Sequence, residues 1–349
     1  MDHTTTAHTG TGHTRTDQTR TDYSRTNYSK TGHSTTHRRV ALPLLIHASN
    51  LDELSLTPFH LSTAGGLKRV IRGVREHPTR VQTVEVPVWA DDRWKETRMV
   101  AAALQMSRPD AVVSHQSAAR MYGWALPLRL EHDRRVHVTT EIVRRPEFVG
   151  HRQRGLAADD VSGVAVAARD ETLRQVSSLM AEDDLLALLE GMCGYWHGPP
   201  EVTPLDLIQH ARSWKRFRGK ARLLRAIPRV RLGVRSPRET ALRLQIMAAG
   251  LPEPVVAHPV TLEGRTFHPD LSYPDLSIAI EYEGDHHRVD DWQWDADIRR
   301  EDLFREAGWE YLRITKSSDM AERLTRLERA YTERARLSVG TVSGPPLRM

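Results

Sequence analysis

The chain has 349 residues, 39% hydrophobic and 27% charged, a balance that allows sizeable buried cores and excludes a wholly disordered polypeptide. At about 150 residues per domain, the length predicts two globular units and some tail, and 50 Lys and Arg against 45 Asp and Glu permit a polyanionic partner without requiring one. No apolar run approaches the roughly 20 residues needed to span a bilayer, and no signal-peptide core opens the sequence, so no membrane association is expected and the cytoplasm is the expected compartment.

Residues 1–39 are rich in Thr, His, Arg and Ser and nearly free of apolar side chains. Such a segment cannot bury enough surface to offset its ordering entropy and is expected to be a disordered tail. The recurring His3, His8, His13, His33 and His37 allow a metal-binding or nucleic-acid-binding role, weighed against a merely biased composition. From Val40 the composition turns globular, and residues 40–198 form the first expected domain. Residues 111–124 read as a short strand and a helix, with Ser114 placed to cap it and Gly123 to end it. Residues 135–140 alternate as a strand, residues 161–167 are β-prone, and helices are expected over 170–180 and 183–192. This predicts a mixed α+β unit ending at the Gly-Pro-Pro of residues 198–200. Its single cysteine, Cys193, excludes an internal disulfide and a four-cysteine zinc site.

Residues 199–234 read as a basic helical connector. Arg212, Lys215, Arg216, Arg218, Lys220, Arg222, Arg225, Arg229, Arg231, Arg235 and Arg238 follow one another with no acidic residue among them. A phosphate backbone is one partner for such a run, because Lys and Arg displace its condensed counterions. A solvated helix face on a basic linker is the other reading.

Ser236-Pro237-Arg238-Glu239 opens a helix that stops near Gly250. Strands are expected over 254–260, 267–273 and 276–283, with a turn at 262–265 and a tight turn at Pro274-Asp275. A hairpin centred between Asp275 and Leu276 would set Asp270 opposite Glu281 and His268 opposite Glu283. The period of two then gathers Asp270, Glu281 and Glu283 on one face, with Leu271, Tyr273, Ile278, Ile280 and Tyr282 on the apolar other. Carboxylates so close repel unless compensated. A hard divalent cation, Mg2+ or Mn2+, compensates them naturally, and salt bridges to the many arginines are the competing explanation.

The ordered set His268-Pro269-Asp270, then Glu281-Tyr282-Glu283-Gly284-Asp285-His286-His287, resembles the PD-(D/E)XK nuclease superfamily. It is most similar to the very-short-patch-repair-like endonuclease domains of actinobacterial type. Asp297 to Arg300, Leu303, Ala307-Gly308-Trp309 and Tyr311 to Thr315 fit that family's helix and last strand. The resemblance covers about residues 235–338 and leaves 339–349 as a flexible C-terminus. It implies a restriction-endonuclease-like αβββαβ core and metal-dependent hydrolysis of DNA. Asp270 and Glu281 would be metal ligands, with the carbonyl of Tyr282 and the first-helix acid Glu239 as further ones. Glu239 also stands where a capping box would bond it back to the Ser236 amide. Glu283 departs from the pattern, since it occupies the lysine position and brings no positive charge to a transition state. Catalysis could survive if Glu283 holds a second metal or if His286, His287 or Arg300 takes over, the histidines as proton carriers and Arg300 otherwise as a structural or phosphate contact.

Residues 113–124, with Arg135 to Thr139, resemble an AbiEi-like antitoxin domain. A winged helix-turn-helix leads that family, but the stretch between Phe59 and Gly73 is too short for three helices, so this element is expected to be truncated. Ser114, His115 and Ser117 are expected to cap and pack. Two function classes follow: a metal-dependent endonuclease with DNA as partner, or a non-catalytic DNA-binding or antitoxin-like regulator on a degenerate nuclease fold. An interaction scaffold whose basic connector is covered by acidic protein is a third.

Overall fold

A computed structural model describes residues 37–51, 56–57, 67–141, 144–283 and 291–340, without the side chains of 291–298 and 339–340. It shows a mixed α and β fold with several sheets. Most of the expected tail, and the Pro58-Phe59 region, lie outside the described residues. The tail reading ran too far at its end, because His37 to Arg39 already belong to a strand. Strand β1 (His37–His47) joins β2 (Arg69–Ile71) and β3 (Val74–Pro87) in a three-stranded sheet of order β1-β3-β2. His37, Arg38 and Arg39 face Pro87, Val86 and Glu85 across the antiparallel ladder, which satisfies backbone groups that a tail would leave to water.

Helix α1 (Asp92–Ser107) begins where the Asp91 carboxylate accepts the Trp94 amide at 2.7 Å. Then come β4 (Val112–Val113), α2 (His115–Met121), α3 (Leu128–Glu131), β5 (Val136–Thr139), β6 (Phe148–His151), β7 (Ala158–Val161) and β8 (Val164–Ala167). The five strands form one sheet of order β6-β5-β4-β8-β7. Strand β5 does not alternate as expected. All four of its residues are buried, so both its faces are covered. Helices α4 (Arg169–Ser177), α5 (Glu182–Cys193), α6 (Pro204–Ser213) and α7 (Lys220–Ala226) follow. One core runs through these elements, from Leu42 through Trp94, Val138 and Leu186 to Val230.

Helix α8 (Pro237–Ala248) leads into β9 (Val255–Val256), β10 (Val260–Leu262), β11 (Arg265–Phe267), β12 (Leu271–Tyr273), β13 (Ile278–Glu283), α9 (Asp291–Glu306), β14 (Glu310–Thr315) and α10 (Met320–Gly340). Each of the two strands expected over 254–260 and 267–273 is split. Strands β10 and β11 close a separate hairpin, turning through Glu263 and Gly264 at positive φ. Strands β9, β12, β13 and β14 form a sheet of order β14-β13-β12-β9, with β13 and β14 parallel. The hairpin register is the expected one: Leu271 faces Ile280 and Tyr273 faces Ile278 around a 3-10 turn.

One sheet face packs Leu271, Tyr273, Ile278, Ile280, Leu312 and Ile314 against Leu242 and Ile246 of α8 and Leu327 of α10. The other face is not purely acidic, because Val260, Ala279, Phe304 and Tyr311 form a second apolar cluster there. Among the described residues no helix is long and apolar enough to cross a membrane.

Candidate functional site

The start of α8 supplies the first carboxylate. Pro237 sits in the first turn, Ser236 Oγ accepts the Glu239 amide at 3.3 Å, and Glu239 is held buried on the inner side of the helix. The expected capping box closes one residue earlier than its spacing implied. Glu239 Oε2 accepts the backbone amide of Arg235 at 2.8 Å instead of that of Ser236.

Arg235 carries the chain from this helix to the sheet. Its guanidinium donates to Asp270 Oδ1 at 2.5 Å and to the His268 carbonyl at 3.3 Å. Asp270, 5% exposed, stands immediately before β12, and its Oδ2 accepts the Tyr282 amide at 2.8 Å. The backbone of Tyr282 thus reaches Asp270 through its amide. On β13, Glu281 is held by Arg300 of α9, whose guanidinium lies 5.7 Å from the Phe267 ring. Arg300 is committed to a carboxylate and largely covered, which leaves it poorly placed for a phosphate. His268, outside the β12–β13 ladder, turns Nδ1 toward the Ala257 carbonyl at 3.2 Å.

Glu239, Asp270 and Glu281 therefore come from three elements and interact through space around Arg235. Burial pushes the Glu239 carboxyl up to about 7, and the negative charge of Asp270 adds to the rise. Burial pushes Glu281 up to about 8, again with Asp270 contributing, despite Arg300 and Arg235 nearby. Carboxylate oxygens are the donor type that a hard divalent cation takes. Among the described residues, however, no group of three His, Cys, Asp or Glu side chains stands in a metal-holding arrangement. The Arg235 guanidinium pairs with Asp270 and that of Arg300 with Glu281.

Glu283 lies apart from this cluster in its contacts. It pairs with Arg313 of β14 at 3.3 Å, and Arg313 also reaches Glu301 at 3.3 Å. His286 and His287 lie outside the described residues, as do Gly284 and Asp285.

The basic run divides in two. Arg212, Lys215, Arg216 and Arg218, at the end of α6 and in the loop behind it, are exposed and have no side-chain partner among the described residues. Lys220, Arg222 and Arg225 are used structurally. Lys220 bonds the Arg212 carbonyl at 3.0 Å, Arg222 the Ser177 carbonyl at 3.2 Å, and Arg225 pairs with Glu182 at 2.9 Å.

A second polar network escaped the sequence reading altogether. Glu190 of α5, 1% exposed, bonds Arg243 of α8 and the Thr240 hydroxyl, and Glu253 takes the other side of Arg243 at 2.6 Å. Arg243 stands between Leu242 and Leu244, and a lone charge on an otherwise buried helix face is the signal that points to a partner. No protein-family model, no curated protein and no solved structure matches the chain.

Proposed function

We propose that this protein is a metal-dependent endonuclease that hydrolyses DNA phosphodiester bonds at the Glu239, Asp270 and Glu281 cluster. The observation that supports the proposal is the approach of the Glu239, Asp270 and Glu281 carboxylates to one residue, Arg235. Bound Mg2+ or Mn2+ would polarise a phosphoryl oxygen and activate water. Asp270 and Glu281 would hold the ion with Glu239 in support, and Arg235 would have to give up Asp270 Oδ1 to it. Arg212, Lys215, Arg216 and Arg218, exposed and without a side-chain partner among the described residues, would meet backbone phosphates. The test is nicking of supercoiled plasmid with either metal, beside Asp270→Ala and a chelator.

The rival reading, a non-catalytic DNA-binding or antitoxin-like regulator, draws on one observation. The residue at the lysine position, Glu283, is acidic and already engaged by Arg313. It requires retained DNA binding with no nicking under any metal.

A further inference from the structure

Arginines also gather away from the carboxylate cluster and the basic run. A cavity of about 470 Å³ lies where β1 ends at His47, β2 turns into β3, and the chain enters β6. Arg69 of β2, Arg72 of the turn, and Arg144 and Arg145 just before β6 wall it. Glu147 is the one carboxylate among the described residues that line it.

The sequence builds this frame locally. Arg72-Gly73 is a two-residue turn closed by Ile71 opposite Val74, and Gly73 takes φ +89° at the turn position that favours glycine. A Cβ on Gly73 would meet no atom within 4 Å, so the turn stands in open space. The Gly73 carbonyl accepts the Ala48 amide at 3.0 Å, which ties the end of β1 to the turn. Arg145 donates to the Arg72 carbonyl at 3.2 Å, which ties in the segment before β6.

The positive charge here is largely uncompensated. Glu147 Oε1 lies 3.8 Å from the Arg69 guanidinium, too far for a hydrogen bond. Arg72 and Arg144 are exposed and have no side-chain partner among the described residues. Arg145 is bonded to a neutral carbonyl and keeps its charge. Acids on the adjoining elements have other cations: Glu76 pairs with Lys68 at 3.0 Å and Asp110 with Arg108 at 3.0 Å. Four guanidinium groups against one carboxylate leave three formal positive charges around the cavity.

That excess selects the ligand. A guanidinium fork matches the oxygens of a phosphate bidentately. The volume falls within the roughly 300–1,000 Å³ of small-ligand sites and leaves room for more than one phosphate. Among the described residues that line it there is no Phe, Tyr or Trp to stack a base, and Pro146 is the one apolar side chain that a peptide would meet.

We propose that this arginine-walled cavity binds closely spaced phosphate groups. It shares no residue with the carboxylate cluster. The phosphates can belong to the backbone of a DNA strand or to a free oligophosphate.

The test titrates the full chain in EDTA, so that no outcome depends on a metal or on hydrolysis. Tripolyphosphate and hexaglutamate are followed by calorimetry, and a duplex oligonucleotide by fluorescence anisotropy. Tripolyphosphate binding that Arg72→Gln with Arg144→Gln weakens by about tenfold or more identifies a free oligophosphate. Duplex binding whose slope of log affinity against log salt falls by roughly 2 in that variant identifies a strand backbone. Glu147→Gln removes the one acid and should tighten whichever ligand binds, which keeps the test decisive if the double variant melts early. Arg80→Gln, on an exposed part of β3 outside the cavity, should change neither. The proposal is overturned if neither ligand responds to the cavity variants, if Arg80→Gln costs as much as the double variant, or if hexaglutamate binds as tightly as tripolyphosphate.

Discussion

Arg235 donates to Asp270 Oδ1 at 2.5 Å through its guanidinium while its own backbone amide donates to Glu239 at 2.8 Å. One residue thereby ties the first turn of α8 to the edge of β12. It also sets a protein cation beside the Asp270 carboxylate.

Removing that guanidinium leaves Asp270, whose side chain is 7% exposed, without its counter-charge. Arg235→Met should lower stability by about 1–3 kcal/mol without metal. It should also tighten Mn2+ binding, so that manganese restores part of the loss. Urea unfolding with and without manganese reads both effects. A variant as stable as the wild type and blind to manganese would remove Arg235 from the cluster's charge balance.

The split within the basic run gives a second prediction. Neutralising Arg212, Lys215, Arg216 and Arg218 together should reduce the slope of log affinity for duplex DNA against log salt by roughly 3–4. Arg225→Ala, which removes a partner of Glu182, should leave that slope unchanged. Equal effects from the two variants would show that exposure does not decide which cations meet phosphate.

The hairpin of the site was legible in the sequence because its turn residues and its period of two act over a few positions. Leu271 opposite Ile280 follows from Pro274-Asp275 and the alternation alone. The strand split around His268 and Pro269 was not, since each half answers to a different neighbour, β10 for one and β9 with β13 for the other. Strands β1 and β3 were missed for a related reason. Their ladder joins His37 to Pro87 across a long separation, and no local pattern announces such a pair. Counting arginines located the positive charge correctly but could not show that Lys220, Arg222 and Arg225 are used to anchor helices.

A histidine trio, with His137 buried and His115 and His151 partly so, supplies a pH prediction. His115 stacks on His151 at 3.6 Å, and His151 Nε2 lies 3.0 Å from His137 Nδ1. Burial lowers all three: His115 to about 3, His151 to about 4, and His137 by direction, with the neighbouring imidazoles opposing charge on His115 and His151. The unfolded chain binds more protons below about pH 6.5, so stability is full above that pH and declines as pH falls toward 4. Asp133, held below its ordinary value by Arg135 and then His137, acts in the same direction only at more acid pH. Urea midpoints from pH 7.5 to 4.5 should fall in the wild type and fall less in His151→Phe. A flat wild-type profile would contradict the burial of neutral histidines.

Glu190 and Arg243 join α5 to α8 with both side chains almost wholly buried. Glu190→Ala should cost about 3–5 kcal/mol by stranding the guanidinium, whereas Glu190→Leu with Arg243→Met together should cost far less. Thermal and urea unfolding of the three proteins decides. Comparable losses in the single and double variants would mean that packing volume, not the stranded charge, sets the penalty.

Hydrolysis at Asp270 is read out by the nicking of supercoiled plasmid. Wild-type protein with Mg2+ or Mn2+ should convert supercoiled plasmid to the nicked form, and Asp270→Ala or a chelator should abolish conversion while DNA binding persists. Nicking that survives Asp270→Ala, or plasmid bound without any nicking under either metal, would contradict it.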